Sequence, residues 1–483
     1  MLHQNSAAHQ ATPFAGFWRQ LLRSSPFRLD EATAIRLTLF GIAISLQNGL
    51  EFPRSAIRGV LGTQVTAVLA TAALAGSLAL VLAALWRPLV KWRWPRSRAV
   101  QLAVLILVLA AVPVGIRQSV VAVTSGFSAP QYPNDGTTLD HFAAMQLLAG
   151  KNPYQSSNIV QAVTILHQDP ADTTPLAGGA FSSLYPLHYP SRAQLRKQFL
   201  VAKSASTTPP AEFESHLSYP SLSFLPLVPL VWAGMPNVVP FFVLAYVLLL
   251  WMLIAGVAAP LRPWIILLAL ADTPVLNGVV AGDLDVWYIL LLIVAWRWQN
   301  KGVLSAIFLG LSCAAKQLAW FFLPYYAFDV IRVYGWREAM RRFVIVGSVF
   351  VLLNLPFAIS DFSAWIHGIL APQTDRMFPL GNGLVQLSLA GLMPLAPEIL
   401  YSMAEVLAIG VCVWLYVKRG AGMPEIALVL SVVPLFFAWR SLSTYFYFMM
   451  LPALALLLIH GRTHSPEELA TSVAPANVPL ETA

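Results

Sequence analysis

Long apolar runs, with charges confined to the gaps between them, constrain this chain more than any other feature. A helix that crosses a bilayer needs roughly 20 apolar residues. Residues 61–86, 99–116, 237–259, 343–359, 399–417 and 443–459 meet or approach that length. Shorter apolar runs occupy 34–49, 221–234, 264–276, 286–298, 303–315, 318–331 and 426–439. Runs this short form re-entrant, tilted or protein-covered helices. The pattern predicts an all-α, polytopic membrane protein with roughly 10–13 membrane helices. Charged residues make up 11% of the chain and hydrophobic ones 57%, which excludes a soluble globular domain. The net charge of +8 does not point to nucleic acid. The Lys and Arg residues stand in short clusters between apolar runs, which is the bias that orients membrane helices.

Three such clusters are expected on the cytoplasmic side: Arg87, Lys91, Arg93, Arg96 and Arg98; Arg332, Arg337, Arg341 and Arg342; and Lys418 with Arg419. The run 99–116 then delivers residues 118–219 to the opposite side as a long outer loop. Loops of this length in compact proteins usually carry function. The expected organisation is a cytoplasmic segment 1–32, a membrane domain 33–460 and a disordered polar tail 461–483. The first membrane helix is expected to act as the targeting signal. Cys313 and Cys412 lie in apolar runs and supply neither a disulfide framework nor metal-ligand spacing. No cofactor motif and no metal site is read.

Within the outer loop, residues 133–154 read PNDGTTLDHFAAMQLLAGKNPY. Leu139, Phe142, Ala143 and Leu147 recur near helical spacing, and Gly150 followed by Pro153 is a stop signal. The predicted element is a short amphipathic helix lying along the membrane interface, with Asp140 in its first turn and Asp135 just before it. Locally, Asp140 reads as an acid favoured by the helix dipole and Asp135 as a turn residue. His141 is expected at the surface.

An Asp opening an interfacial helix, with G-x-N-P-Y at 150–154, resembles the first outer loop of GT-C glycosyltransferases. More narrowly, it resembles the polyprenol-phosphate-mannose-dependent family GT87 (DUF2029). Further pieces follow in that family's order: Tyr219-Pro220-Ser221, with Pro226 and Pro229; Ala281-Gly282-Asp283-Leu284-Asp285, where the family commonly carries G-Q-x-N; Gly310 to Lys316 with Pro324 downstream; and Arg440 to Pro452. The last turn, AWRSLSTYFYF, lacks the His that relatives often carry. The resemblance implies a GT-C-like bundle. It also implies an enzyme taking a sugar, mannose first, from a polyprenyl-phosphate carrier to a lipid or glycan acceptor outside the cytoplasm of a bacterial inner membrane.

That chemistry calls for a carboxylate to accept the acceptor hydroxyl proton and for cations to hold the departing phosphate. The resemblance gives the base to Asp140, with Asp135 as the rival. Lys316 interrupts an apolar stretch, where ionisable residues are costly and usually mark function, and it is the first candidate for the carrier phosphate. Snorkelling to headgroups is the bland alternative. Arg440 is the second candidate. Asp283, Asp285 and Tyr154 are candidate sugar or acceptor contacts. The two Asp residues alone are too few to specify a metal site. The competing reading is a lipid or glycan transporter or flippase of the envelope. It would need polar residues deep along the spans, and the strongest spans carry few. The expected partners are a polyprenyl-phosphate-linked donor, the acceptor and membrane lipids, with no nucleic acid.

Overall fold

The computed structural model describes residues 29–51, 62–86, 97–205, 209–420 and 423–460. The N-terminal segment to residue 28, the cluster Arg87 to Arg96 and the tail 461–483 lie outside the described residues. The fold is all-α and polytopic. Among the described residues, five helices are long and apolar enough to cross a membrane: α2 (Thr63–Leu85), α3 (Arg98–Ser125), α6 (Val239–Gly256), α12 (Trp336–Ser360) and α14 (Glu398–Arg419). A sixth span arises if the pair Ala259–Ala271 and Thr273–Ala281, bent by 63°, counts as one. Its two arms contain α7 (Arg262–Ala271) and α8 (Thr273–Ala281). The remaining labelled helices are α1 (Glu31–Glu51), α4 (Asp135–Leu148), α5 (Arg192–Ala205), α9 (Asp285–Arg297), α10 (Gly302–Ala315), α11 (Leu323–Tyr334), α13 (Phe362–Thr374) and α15 (Thr444–His460).

Five or six full-length spans among the described residues are joined by shorter apolar helices, as the short runs predict. The difference in length follows from where the short runs sit. α9 is buried along almost its whole length, and α15 is buried from Phe446 to Ile459. Both are apolar all round because protein, not lipid, surrounds them. A helix so covered need not match the bilayer thickness. α3, α12 and α14 instead bury little of their surface and turn residues such as Leu102, Leu352 and Leu407 outward. The run at 221–234 breaks into 3-10 turns and a helix over Val228–Trp232. The run at 426–439 divides in the same way.

α3 continues to Ser125, so the outer loop begins later than residue 118. That loop is not an open excursion. Leu139, Phe142, Tyr154, Phe199 and Phe213 form a second core with Phe357, Ile369 and Phe378 from α12, α13 and the segment beyond. Isolated bridges pair Pro175 with Phe213 and Leu176 with Met377. The two-residue strands β1 (Leu380–Gly381) and β2 (Arg440–Ser441) pair in parallel, with Leu380 opposite Arg440.

Candidate active site

α4 starts one turn earlier than the sequence suggests, and this changes the geometry of its two acids. Asn134 is the N-cap and accepts from the Thr137 N–H at 2.8 Å. Asp135 is therefore the first helical residue, and Asp140 lies in the second turn on the inward face. Asn134 Nδ2 also donates to the Ala281 carbonyl at 3.2 Å and to Asp283 Oδ1 at 3.3 Å. The Thr137 hydroxyl donates to the Gly282 carbonyl at 2.8 Å. Gly282 has φ +76°, and a Cβ there would stand 2.7 Å from Thr137 Cγ2. Glycine is thus required twice over, by the left-handed backbone and by the close approach of α4.

A cavity of about 390 Å³ lies against this helix start. Asp135, Lys316 and Arg440 all line it. Asp135 is half-buried, and its Oδ2 accepts from the Thr174 N–H at 2.8 Å. Lys316 follows the last residue of α10 in extended backbone, with φ −154° and ψ 140°. It is only 5% exposed. Its Nζ donates to Asp285 Oδ1 at 2.9 Å and stands 5.3, 5.5 and 5.9 Å from the ring centroids of Tyr219, Tyr445 and Tyr288. A lysine buried in this way is held by a carboxylate and aromatic faces, so the snorkelling alternative falls. Arg440, in β2, donates from Nη1 to the Phe378 carbonyl at 3.1 Å. The Tyr189 hydroxyl feels both Arg440 and Asp135, though burial chiefly raises its pKa.

Asp140 does not line the cavity. It is 1% exposed, and its Oδ1 accepts from the Ser223 hydroxyl at 2.7 Å. Burial pushes its carboxyl up to about 7, against the opposing pull of Ser223 and the Lys316 charge. The picture of Asp140 at an exposed helix start is therefore corrected: Asp135 opens the helix and Asp140 is internal. His141 is likewise not at the surface. It is buried, with Nδ1 3.0 Å from the Tyr132 hydroxyl. Tyr154 is buried and donates its hydroxyl to the Tyr219 carbonyl at 2.8 Å, and Asp285 is buried against Lys316. Neither lines the cavity. Asp283 instead lines a neighbouring polar groove that it shares with Asn134, Asp169 and Asp172.

Sequence reasoning missed Glu398, Ser402 and Glu405, which all line the cavity from one face of α14. Their spacing of four and then three residues was a readable signal, because two acids on one stripe of an apolar helix are not placed there for lipid contact. Glu214 also lines the cavity and had no local signal.

Fold and cavity together define a multi-pass helical membrane protein with acids and cations gathered at a partly apolar chamber. Residues 217–439 match the family model of Glycosyltransferase family 87, in line with the resemblance read in the sequence, and this match supports glycosyltransferase activity. The matched residues include Lys316, Asp283 and Asp285, whereas Asp135, Asp140 and Arg440 lie outside them. Neither a curated protein nor a solved structure matches the chain.

Proposed function

We propose that the protein moves a sugar, mannose in the first instance, from a polyprenyl-phosphate carrier to a lipid or glycan hydroxyl at the outer face of a bacterial plasma membrane. The observation that carries this reading is the meeting of Asp135, Lys316 and Arg440 around one cavity. Asp135 takes the role of general base, in place of Asp140. It accepts the proton of the acceptor hydroxyl as that oxygen attacks the anomeric carbon. The bond from the anomeric carbon to the phosphate oxygen breaks, and the carrier phosphate leaves with the electron pair. Lys316 and Arg440 stabilise the charge that develops there. Arg440 keeps donors beyond the one given to Phe378, and Asp285 fixes the Lys316 ammonium in place. The wall formed by Leu318, Phe321 and Leu435 suits the first isoprene units. Direct displacement inverts the anomeric centre.

The test is an assay of the purified full chain with radiolabelled polyprenyl-phosphate mannose, glucose and arabinose. Transfer of one of these labels to a lipid or glycan fraction, abolished in Asp135→Asn, is the expected result. No transfer from any of the three donors overturns the reading.

A further inference from the structure

At the edge of the cavity stands a group of side chains that glycosyl transfer as described does not use. Glu214, on the segment returning from the outer loop, and Asp375, just past the end of α13, both close on His216. His216 Nδ1 lies 3.1 Å from Glu214 Oε1 and 2.9 Å from Asp375 Oδ2. One ligand atom from each of the three falls within 4.8 Å of the others. Donor atoms about 2.1 Å from an ion lie about 3.0 Å apart in an octahedral arrangement and about 3.4 Å apart in a tetrahedral one. The two observed separations, which are also hydrogen-bond lengths, are close to the octahedral spacing.

Hydrogen bonding within the group leaves it incomplete. His216 offers one Nδ1–H to two carboxylates. The Glu214 backbone partner, the His216 N–H, donates to Oε1 at 2.6 Å, the oxygen already facing the ring. Glu214 Oε2 is fully buried and has no donor among the described residues, and Glu214 as a residue is only 3% exposed. The Asp375 carboxylate, an acceptor like itself, lies within reach of the Glu214 carboxyl. A buried carboxylate oxygen opposite a second carboxylate is unfavourable unless a proton or a cation lies between them.

We propose that Glu214, His216 and Asp375 form a binding site for a divalent first-row cation of the Mn²⁺ or Zn²⁺ type. One imidazole nitrogen with two carboxylates is a ligand set for such ions. Coordination turns the three acceptors into ligands and satisfies Oε2. The bound ion ties the last part of the outer loop to the end of α13 at the rim of the cavity, so its occupancy stabilises that rim. His216 is half-exposed, which gives the ion access from solvent.

The experiment uses the full chain in detergent, stripped with a chelator and titrated with Mn²⁺ while free Mn²⁺ is read by electron paramagnetic resonance. Stoichiometric binding is expected, with a rise in unfolding temperature on Mn²⁺ addition. His216→Ala and Asp375→Asn should each weaken binding by more than the roughly 10–100-fold that loss of a supporting partner gives, and should abolish the thermal shift. These two sites are partly exposed, so both variants are expected to fold. Absence of stoichiometric binding of Mn²⁺ and of Zn²⁺, or unchanged affinity in both variants, overturns the site and leaves a shared proton as the explanation. Because binding is read without any sugar donor, this result stands apart from success or failure of the glycosyl-transfer assay.

Discussion

Asp135 and Asp140 stand five positions apart on one helix, yet they meet different surroundings. A base must touch the proton it removes, and only Asp135 reaches the cavity. Asp135→Asn should lower turnover by about 10²–10⁴-fold, with little change in unfolding temperature, since the residue is half-buried and its partner is a backbone amide. Asp140→Asn should leave turnover far closer to the parent, and turnover measured at matched expression decides between them. The second variant has its own signature. Burial raises the Asp140 carboxyl to about 7 from 3.8, so the folded state holds a proton that the unfolded state releases. The resulting stability is complete below pH 4 and is lost as pH climbs towards 7. Removing the carboxyl should flatten that part of the stability profile, so the unfolding temperature of Asp140→Asn relative to the parent should rise between pH 4 and 7. Lys316 requires a paired test. Lys316→Ala alone strands the buried Asp285, at a cost of about 3–5 kcal/mol. The comparison is therefore the parent against Asp285→Asn with Lys316→Met, which strands neither charge. Loss of the ammonium should weaken donor binding by about 1.5–3 kcal/mol, read as a shift in donor Kd, and equal affinities would remove Lys316 from the phosphate site.

At the level of elements, the site is built where α4 meets the α8–α9 turn. Gly282→Ala forces a Cβ into left-handed backbone and against Thr137, with a strain of about 1–3 kcal/mol. The contact that gives way is the one that fixes the first turn of α4, so turnover should fall by more than the loss of stability alone accounts for. Measuring kcat beside the unfolding temperature separates the two effects. Much of this element was legible beforehand: the apolar periodicity of Leu139, Phe142 and Ala143 and the stop at Gly150 placed the helix. Its start was misjudged because Asn-Asp-Gly serves both as a turn and as a cap, and only the partners of Asn134 decide between them. The burial of Asp140 was hidden for a related reason. Its face of α4 is covered by Ser223 and the second core, which come from segments remote in the chain. Lys316 was legible because a cation in an apolar run is rare. Its partner Asp285 was read as a sugar contact because sequence spacing does not bring residues 285 and 316 together. Glu214 and Asp375 carried no signal for the same reason.

Across the whole molecule, the apolar runs identified a membrane protein, and they divide into full-length spans and shorter helices covered by protein. Apolar sequence reports what a helix touches, and α9 and α15 touch protein where α3, α12 and α14 expose apolar side chains to the surroundings. Orientation rests on a different signal, the basic residues around α12 and at the end of α14. Arg337 and Arg341 are exposed at the start of α12, and Lys418 and Arg419 close α14. If both mark the cytoplasmic face, the second core formed by the outer loop lies on the other side, and the cavity opens where a lipid-linked donor is presented outside the cytoplasm. The two native cysteines are buried, so single introduced cysteines report cleanly. Ser204→Cys, exposed on α5, should react with a membrane-impermeant maleimide in intact cells. Arg337→Cys should react only after the membrane is opened. The reverse pattern would place the cavity on the cytoplasmic face, where a soluble nucleotide sugar replaces the lipid-linked one as the expected donor.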